Sequence, residues 1–189
     1  MHNTVETHCN ASLQKFKNIF RIPTNRLPGW DYLSSGYYFV TICTYKKKEY
    51  FGEIVNGKMN LSEIGKVTEN ELLKTEQIRQ NVKMDEYVIM PNHVHAIIVI
   101  FNHVSVETHC NASLHNIFGP QSNNLASIIR GYKSSIKRYT NKNNILFNWQ
   151  PRFYDHIIRT EKSYLEIKQY IRNNPRNWSE DEENITLKF

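Results

Sequence analysis

The chain has 189 residues, 40% of them hydrophobic and 22% charged, and a net charge of +6. Those figures suit one folded domain of ordinary size, and they leave a polyanionic partner open. No apolar run reaches the roughly 20 residues that a membrane span needs. Met1 to Glu6 has neither a basic start nor an apolar core, so no secretory signal is expected and a cytoplasmic protein is the default. Cys9, Cys43 and Cys110 lack CxxC spacing and cannot build a disulfide framework.

Taken in order, residues 1–34 read as a loose, polar segment with turn signals at Ile22-Pro23 and Leu27-Pro28-Gly29. The nonamer Val5–Leu13 recurs without change as Val106–Leu114, and Asn-Ile-Phe follows both copies. Two copies in different surroundings do not make a solenoid, so a duplicated flexible insert is expected, the second copy lying in a loop over 102–122. The β-branched and aromatic run Tyr37–Tyr45 predicts a strand. A hairpin is expected over Tyr50–Leu61, turned at Asn56-Gly57. Ser62 then caps a helix whose apolar positions Ile64, Val67, Leu72 and Ile78 keep helical spacing to about Arg79.

Two apolar runs follow, about 82–90 and 93–101, joined at Pro91-Asn92. A helix is expected over Leu125–Thr140, with Leu125, Ile128, Ile129, Tyr132 and Ile136 on one face and Arg130, Lys133, Lys137 and Arg138 on the other. Phe147–Ile158 reads as strand-like. The last helix runs from about Ser163 to Asn173 and stops at Asn174-Pro175. The acidic tail, 179–189, is expected to fray. Helices separated by antiparallel strands suggest an α+β fold, one sheet with helices packed on it.

Three stretches carry chemistry. In His93-Val94-His95 the side chains alternate, so both imidazoles point one way while Val94 points into the core. Two such imidazoles suit a divalent metal but need further ligands, and a packed pair is the commoner case. In the last helix, Tyr170 and Asn174 are four apart and share a face. A tyrosine hydroxyl can attack a phosphodiester, and an asparagine oxygen can be a third, hard ligand for Mg²⁺ or Mn²⁺. Tyr170 packed under the sheet and Asn174 as a simple helix cap remain open at this point. Between 126 and 172, ten Lys/Arg face three acids, interleaved with aromatic rings. Cations among stacking rings suit single-stranded or looped nucleic acid, and equally a solvated helix face over an aromatic core.

The three blocks His93-Val94-His95, Trp149–Arg159 and Tyr170–Pro175 stand in the order found in the single-tyrosine HUH transposases. The chain resembles that family over about 35–178, and within it the REP-associated tyrosine transposases. The resemblance implies a ferredoxin-like, RRM-like antiparallel sheet whose central strand carries the HUH pair. It implies that Tyr170 attacks single-stranded DNA near a hairpin, a REP-like palindrome, leaving a 5′-phosphotyrosine link and a free 3′-OH. His93, His95 and Asn174 would hold Mg²⁺ or Mn²⁺, where family members often present Gln as the third ligand. The protein would lie in the bacterial cytoplasm, on the nucleoid when bound to DNA, and a homodimer sharing active sites is open.

Tyr154 is the competing nucleophile, ranked second because no ligand stands four residues away. Arg130, Lys133, Lys137, Arg138, Arg152 and Arg159 are the expected phosphate contacts. His156 could contact DNA, orient the site or fill a turn. The alternative function is a noncatalytic RRM-like module that holds single-stranded nucleic acid by stacking.

Overall fold

The computed structural model describes residues 15–16, 19–20, 34–101, 124–181 and 183–184. Both nonamer copies lie outside the described residues, as do most of the loose N-terminal segment and the inserted loop. A short antiparallel pair, β1 (Lys15–Phe16) and β2 (Ile19–Phe20), precedes the body of the fold.

The body is a four-stranded antiparallel sheet built from β3 (Gly36–Cys43), β6 (Val82–Ile89), β7 (His93–Ile100) and β8 (Tyr154–Ile158), in the order β6-β7-β3-β8. The helices are α1 (Glu63–Ile78), α2 (Leu125–Lys142) and α3 (Glu161–Asn173). Leaving aside the hairpin of β4 (Gly52–Val55) and β5 (Lys58–Leu61), the path β3-α1-β6-β7-α2-β8 is the split βαβ arrangement of ferredoxin-like folds. The hairpin turns at Asn56-Gly57, whose φ values of 52° and 69° are those of a type I′ turn.

Each helix start is fixed by its cap. The side chains of Ser62, Asn124 and Thr160 accept from the backbone N–H of Gly65, Ser127 and Ser163. The α1 start is also pressed close to the chain. A Cβ on Gly65 would stand 2.0 Å from the Phe51 carbonyl oxygen, so only glycine fits there.

Every residue of β7 is buried, because the sheet is covered on both faces. On one face Val94, Ala96, Ile98 and Ile100 pack with Tyr38, Val40 and Ile42 of β3, Leu72 of α1, and Leu125, Ile128, Ile129, Tyr132 and Ile136 of α2. A fully buried residue such as Ile98 contributes about 1.5–3 kcal/mol of hydrophobic stabilisation. On the other face Ile97, Ile158 and Ile171 form a small cluster with Phe39, Val88, Tyr164 and Ile167. The structure sets α3 alone on this face, opposite α1 and α2.

Because α3 has few apolar contacts, it is held by charge as well. Register shifts between Met84 and Glu86, opposite Ile98 and Ile97, so Asp85 is an extra residue in β6. Such a bulge reverses the alternation of side chains. Val82 and Met84 before it, and Ile89 after it, lie in the α1/α2 core, while both Asp85 and Glu86 meet α3. There Asp85 accepts from the Tyr164 hydroxyl at 2.7 Å and pairs with Lys168 at 3.2 Å, and Glu86 pairs with Arg172 at 2.8 Å. Tyr164, Lys168 and Arg172 recur every four residues, one stripe along the helix.

The strand expected over Phe147–Ile158 begins only at Tyr154. Pro151 has no N–H for a ladder and Arg152 sits at φ 71°, so the chain turns before pairing. The preceding stretch pairs its backbone through an isolated bridge, Thr44 with Trp149, just past the end of β3.

Candidate active site

On β7 the imidazoles of His93 and His95 point toward α3, as their alternation requires, and Val94 points into the opposite core. Both rings are buried, His93 at 0% and His95 at 3% exposure. Their Nε2 atoms are 3.0 Å apart. Phe39 of β3 stacks on the His95 ring with centroids 5.3 Å apart, and its edge also meets Tyr170. On the far side, the Trp178 ring lies 6.0 Å from His93.

α3 brings Tyr170 over the pair. Its hydroxyl is 3.2 Å from His95 Nε2, while the side chain remains 47% exposed toward a cleft of about 810 Å³. Asn174, one turn on and 2% exposed, lines the same cleft. Tyr154 lines it too, with 51% exposure, and its ring edge meets Phe39. Of the two tyrosines, Tyr170 is the one whose hydroxyl is placed against a histidine.

The third member of the cluster, a carboxylate, is not legible from the sequence. The tail beyond Trp178 was expected to fray. Instead a turn of 3₁₀ helix at Trp178–Glu180 returns the chain to the sheet. Asp181 then offers a carboxylate oxygen within 4.8 Å of the ligating nitrogens of both His93 and His95. Asn174 Nδ2 donates to Asp181 Oδ2 at 2.9 Å. The return is pinned further on: Asn92 donates to the Glu183 carbonyl at 2.8 Å, and the Glu183 carboxylate pairs with Lys47 at 3.0 Å.

This donor set fits a divalent ion. Two imidazoles and a carboxylate converge, and Asn174 Oδ1 is a buried acceptor with no hydrogen-bond partner among the described residues. Burial, with the positive field of Lys47, pushes His93 down to about 3. Burial and then His93 hold His95 well below its usual value, against a smaller opposing effect of Asp181. Both rings are therefore neutral at pH 7, the form that ligates. Cys43, also on the cleft wall, is not in this cluster, and burial with Glu183 pushes its thiol up to about 12.

The basic residues divide into two groups. Arg130 and Arg138 are exposed on the outer face of α2. Lys133 and Lys137 are instead directed inward. The Lys133 ammonium binds the Gln150 carbonyl at 2.8 Å and that of Arg152, and Lys137 binds the Phe147 carbonyl and Asn148 Oδ1. They tie α2 to the irregular stretch before β8, and burial pushes Lys133 down to about 8. Arg152 is exposed on the cleft wall, and Arg159 is exposed just past β8. His156 is exposed on the edge strand opposite Phe39, on the Tyr170 face of the sheet.

No family model matches the sequence. In fold, the chain is similar to the structure of a REP-associated tyrosine transposase bound to a REP hairpin, with a TM-score of 0.51 and 19% identity over 76% of this chain and 68% of that one. The two therefore share the α+β fold. In sequence, the chain is 39% identical over 180 residues to an uncharacterized protein of Haemophilus influenzae, covering 93% of this chain and 97% of the relative. At that identity over nearly the whole of both, the chain belongs to the same family as the Haemophilus influenzae protein.

Proposed function

We propose that the protein is a transposase-like enzyme that nicks and rejoins single-stranded DNA at hairpins, with Tyr170 as nucleophile and a divalent ion held by His93, His95 and Asp181, Asn174 supplying a further oxygen. The observation that carries the reading is the Tyr170 hydroxyl 3.2 Å from His95 Nε2, on the rim of an open cleft. A stacking module has no need of a phenol set against two neutral imidazoles and a carboxylate. The shared fold with a transposase bound to a hairpin supports DNA as the partner.

Tyr170 Oη would form a bond to phosphorus as the bond from phosphorus to the 3′ oxygen breaks. The phenol proton is given up and the departing 3′ oxygen takes one up. One phosphodiester replaces another, so the step can run backward and join ends. Bound Mg²⁺ or Mn²⁺ would polarise the scissile phosphate and offset its charge. His93 and His95 are pre-formed for this by burial, and Phe39 keeps the His95 ring in place. Arg152 and Arg159 would hold phosphates at the cleft, and Arg130 and Arg138 would meet the backbone farther out.

Incubation with Mn²⁺ and a 5′-tailed DNA hairpin tests the reading by covalent adduct formation. The wild type and Tyr154→Phe should form the adduct and Tyr170→Phe should not. An adduct that survives Tyr170→Phe refutes the assignment.

A further inference from the structure

The two histidines differ in what their outer nitrogens meet. Asn92, fully buried in the Pro91-Asn92 break, donates through Nδ2 to the carbonyls of Lys47 at 3.1 Å and Glu183 at 2.8 Å. Carbonyls only accept, so the amide cannot be turned round. Its Oδ1 is left 2.8 Å from His93 Nδ1, and an amide oxygen also only accepts. His93 must therefore carry its proton on Nδ1 and leave Nε2 bare. Nε2 is 3.0 Å from His95 Nε2, where two bare nitrogens would repel. Without an ion, His95 carries its proton on Nε2, and its bare Nδ1 accepts from the Thr41 hydroxyl at 2.9 Å. A hydroxyl serves either tautomer, since it can donate or accept.

We infer that the pair consists of one locked and one switchable histidine: Asn92 fixes His93 as the Nδ1–H tautomer, and Thr41 lets His95 exchange Nε2–H for Nδ1–H when a metal ion arrives. One proton leaves Nε2 for solvent and one is taken up at Nδ1, so no net protons are gained or lost. The Thr41 hydroxyl changes from donor to acceptor. The Tyr170 hydroxyl also stands 3.2 Å from His95 Nε2, the atom that gives up its proton, so the switch reaches the nucleophile. Asn92 and Thr41 are thus positioning residues. The locked half stands on the ion-free geometry alone; the switching half rests on the metal site proposed above.

The experiment is ¹⁵N spectroscopy of histidine-labelled protein at pH 7.5, read through long-range proton–nitrogen correlations, before and after addition of Zn²⁺ as a diamagnetic probe. Ion-free protein should show His93 protonated at Nδ1 and His95 at Nε2. With Zn²⁺, His95 should appear protonated at Nδ1 while His93 is unchanged. Thr41→Val should lower Zn²⁺ affinity on the order of tenfold, with Thr41→Ser restoring it. His93 protonated at Nε2, or both rings in the same tautomer without ion, overturns the locked half. His95 still protonated at Nε2 in Zn²⁺, or Thr41→Val binding Zn²⁺ as the wild type does, overturns the switch. Adduct formation is not read in any arm, so an error about the nucleophile leaves these spectra as expected.

Discussion

The bulged pair on β6 sets up the most direct test of how α3, and with it Tyr170, is held. Consider Asp85→Asn. Asparagine keeps the shape and can still accept from the Tyr164 hydroxyl, but it removes the charge opposite Lys168. A hydrogen bond to a charged group contributes about 1.5–3 kcal/mol, and a neutral one about 0.5–1.5. The difference is about 1 kcal/mol once screening is allowed for, since the Lys168 and Asp85 side chains are 21% and 18% exposed. For a chain of 189 residues that lowers Tm by about 2–4 °C at neutral pH.

The pH dependence discriminates. Burial pushes the Asp85 carboxyl up, but the Tyr164 hydroxyl and then Lys168 more than reverse this and hold it below the usual carboxylate range. A carboxylate depressed in the folded state stabilises above its unfolded value, near 3.8, and that stabilisation disappears as pH falls through the folded value. Unfolding followed by circular dichroism should therefore show the full gap between wild type and Asp85→Asn at pH 7. The gap should close as pH falls below 4. A gap of the same size at pH 3, or none at pH 7, would refute the argument.

Two further outcomes follow from the site. Asp181→Asn should weaken Mn²⁺ binding about 10–100-fold by calorimetry with unchanged circular dichroism, because the substitution removes the anionic ligand but keeps an acceptor for Asn174; unaltered affinity would remove Asp181 from the site. Arg130→Gln and Arg138→Gln should each reduce the slope of log K against log salt for hairpin DNA by about 1, whereas Lys133→Gln should show its main effect as a lower Tm, because its ammonium already holds two carbonyls.

What could be read from the chain beforehand was whatever depends on local period. Period two put His93 and His95 on one face, and a spacing of four put Tyr170 with Asn174. Helix caps at Ser62 and turn residues at Asn56-Gly57 gave their elements directly. Other features depend on interruptions of period. One extra residue at Asp85 turns two successive acids toward one helix, and strict alternation cannot anticipate that. Pro151 and Arg152 delay β8 in the same way. Phe39 and Thr41 were hidden for another reason: a strand covered on both faces has no apolar-polar contrast to mark which residues reach the histidines.

The acidic run around Asp181 points to solvation and so conceals its place in the site. Its position depends instead on long-range anchors: the Asn92 amide, the Lys47 ammonium and the Trp178 turn. Those anchors link the two ends of the site. The same Asn92 that fixes the proton of His93 also holds the carbonyl of Glu183, two residues beyond Asp181. A displaced tail would therefore remove one of the two carbonyls that orient the Asn92 amide. Carboxylate delivery and the His93 tautomer are thus coupled through one buried side chain, in the Pro91-Asn92 break between β6 and β7.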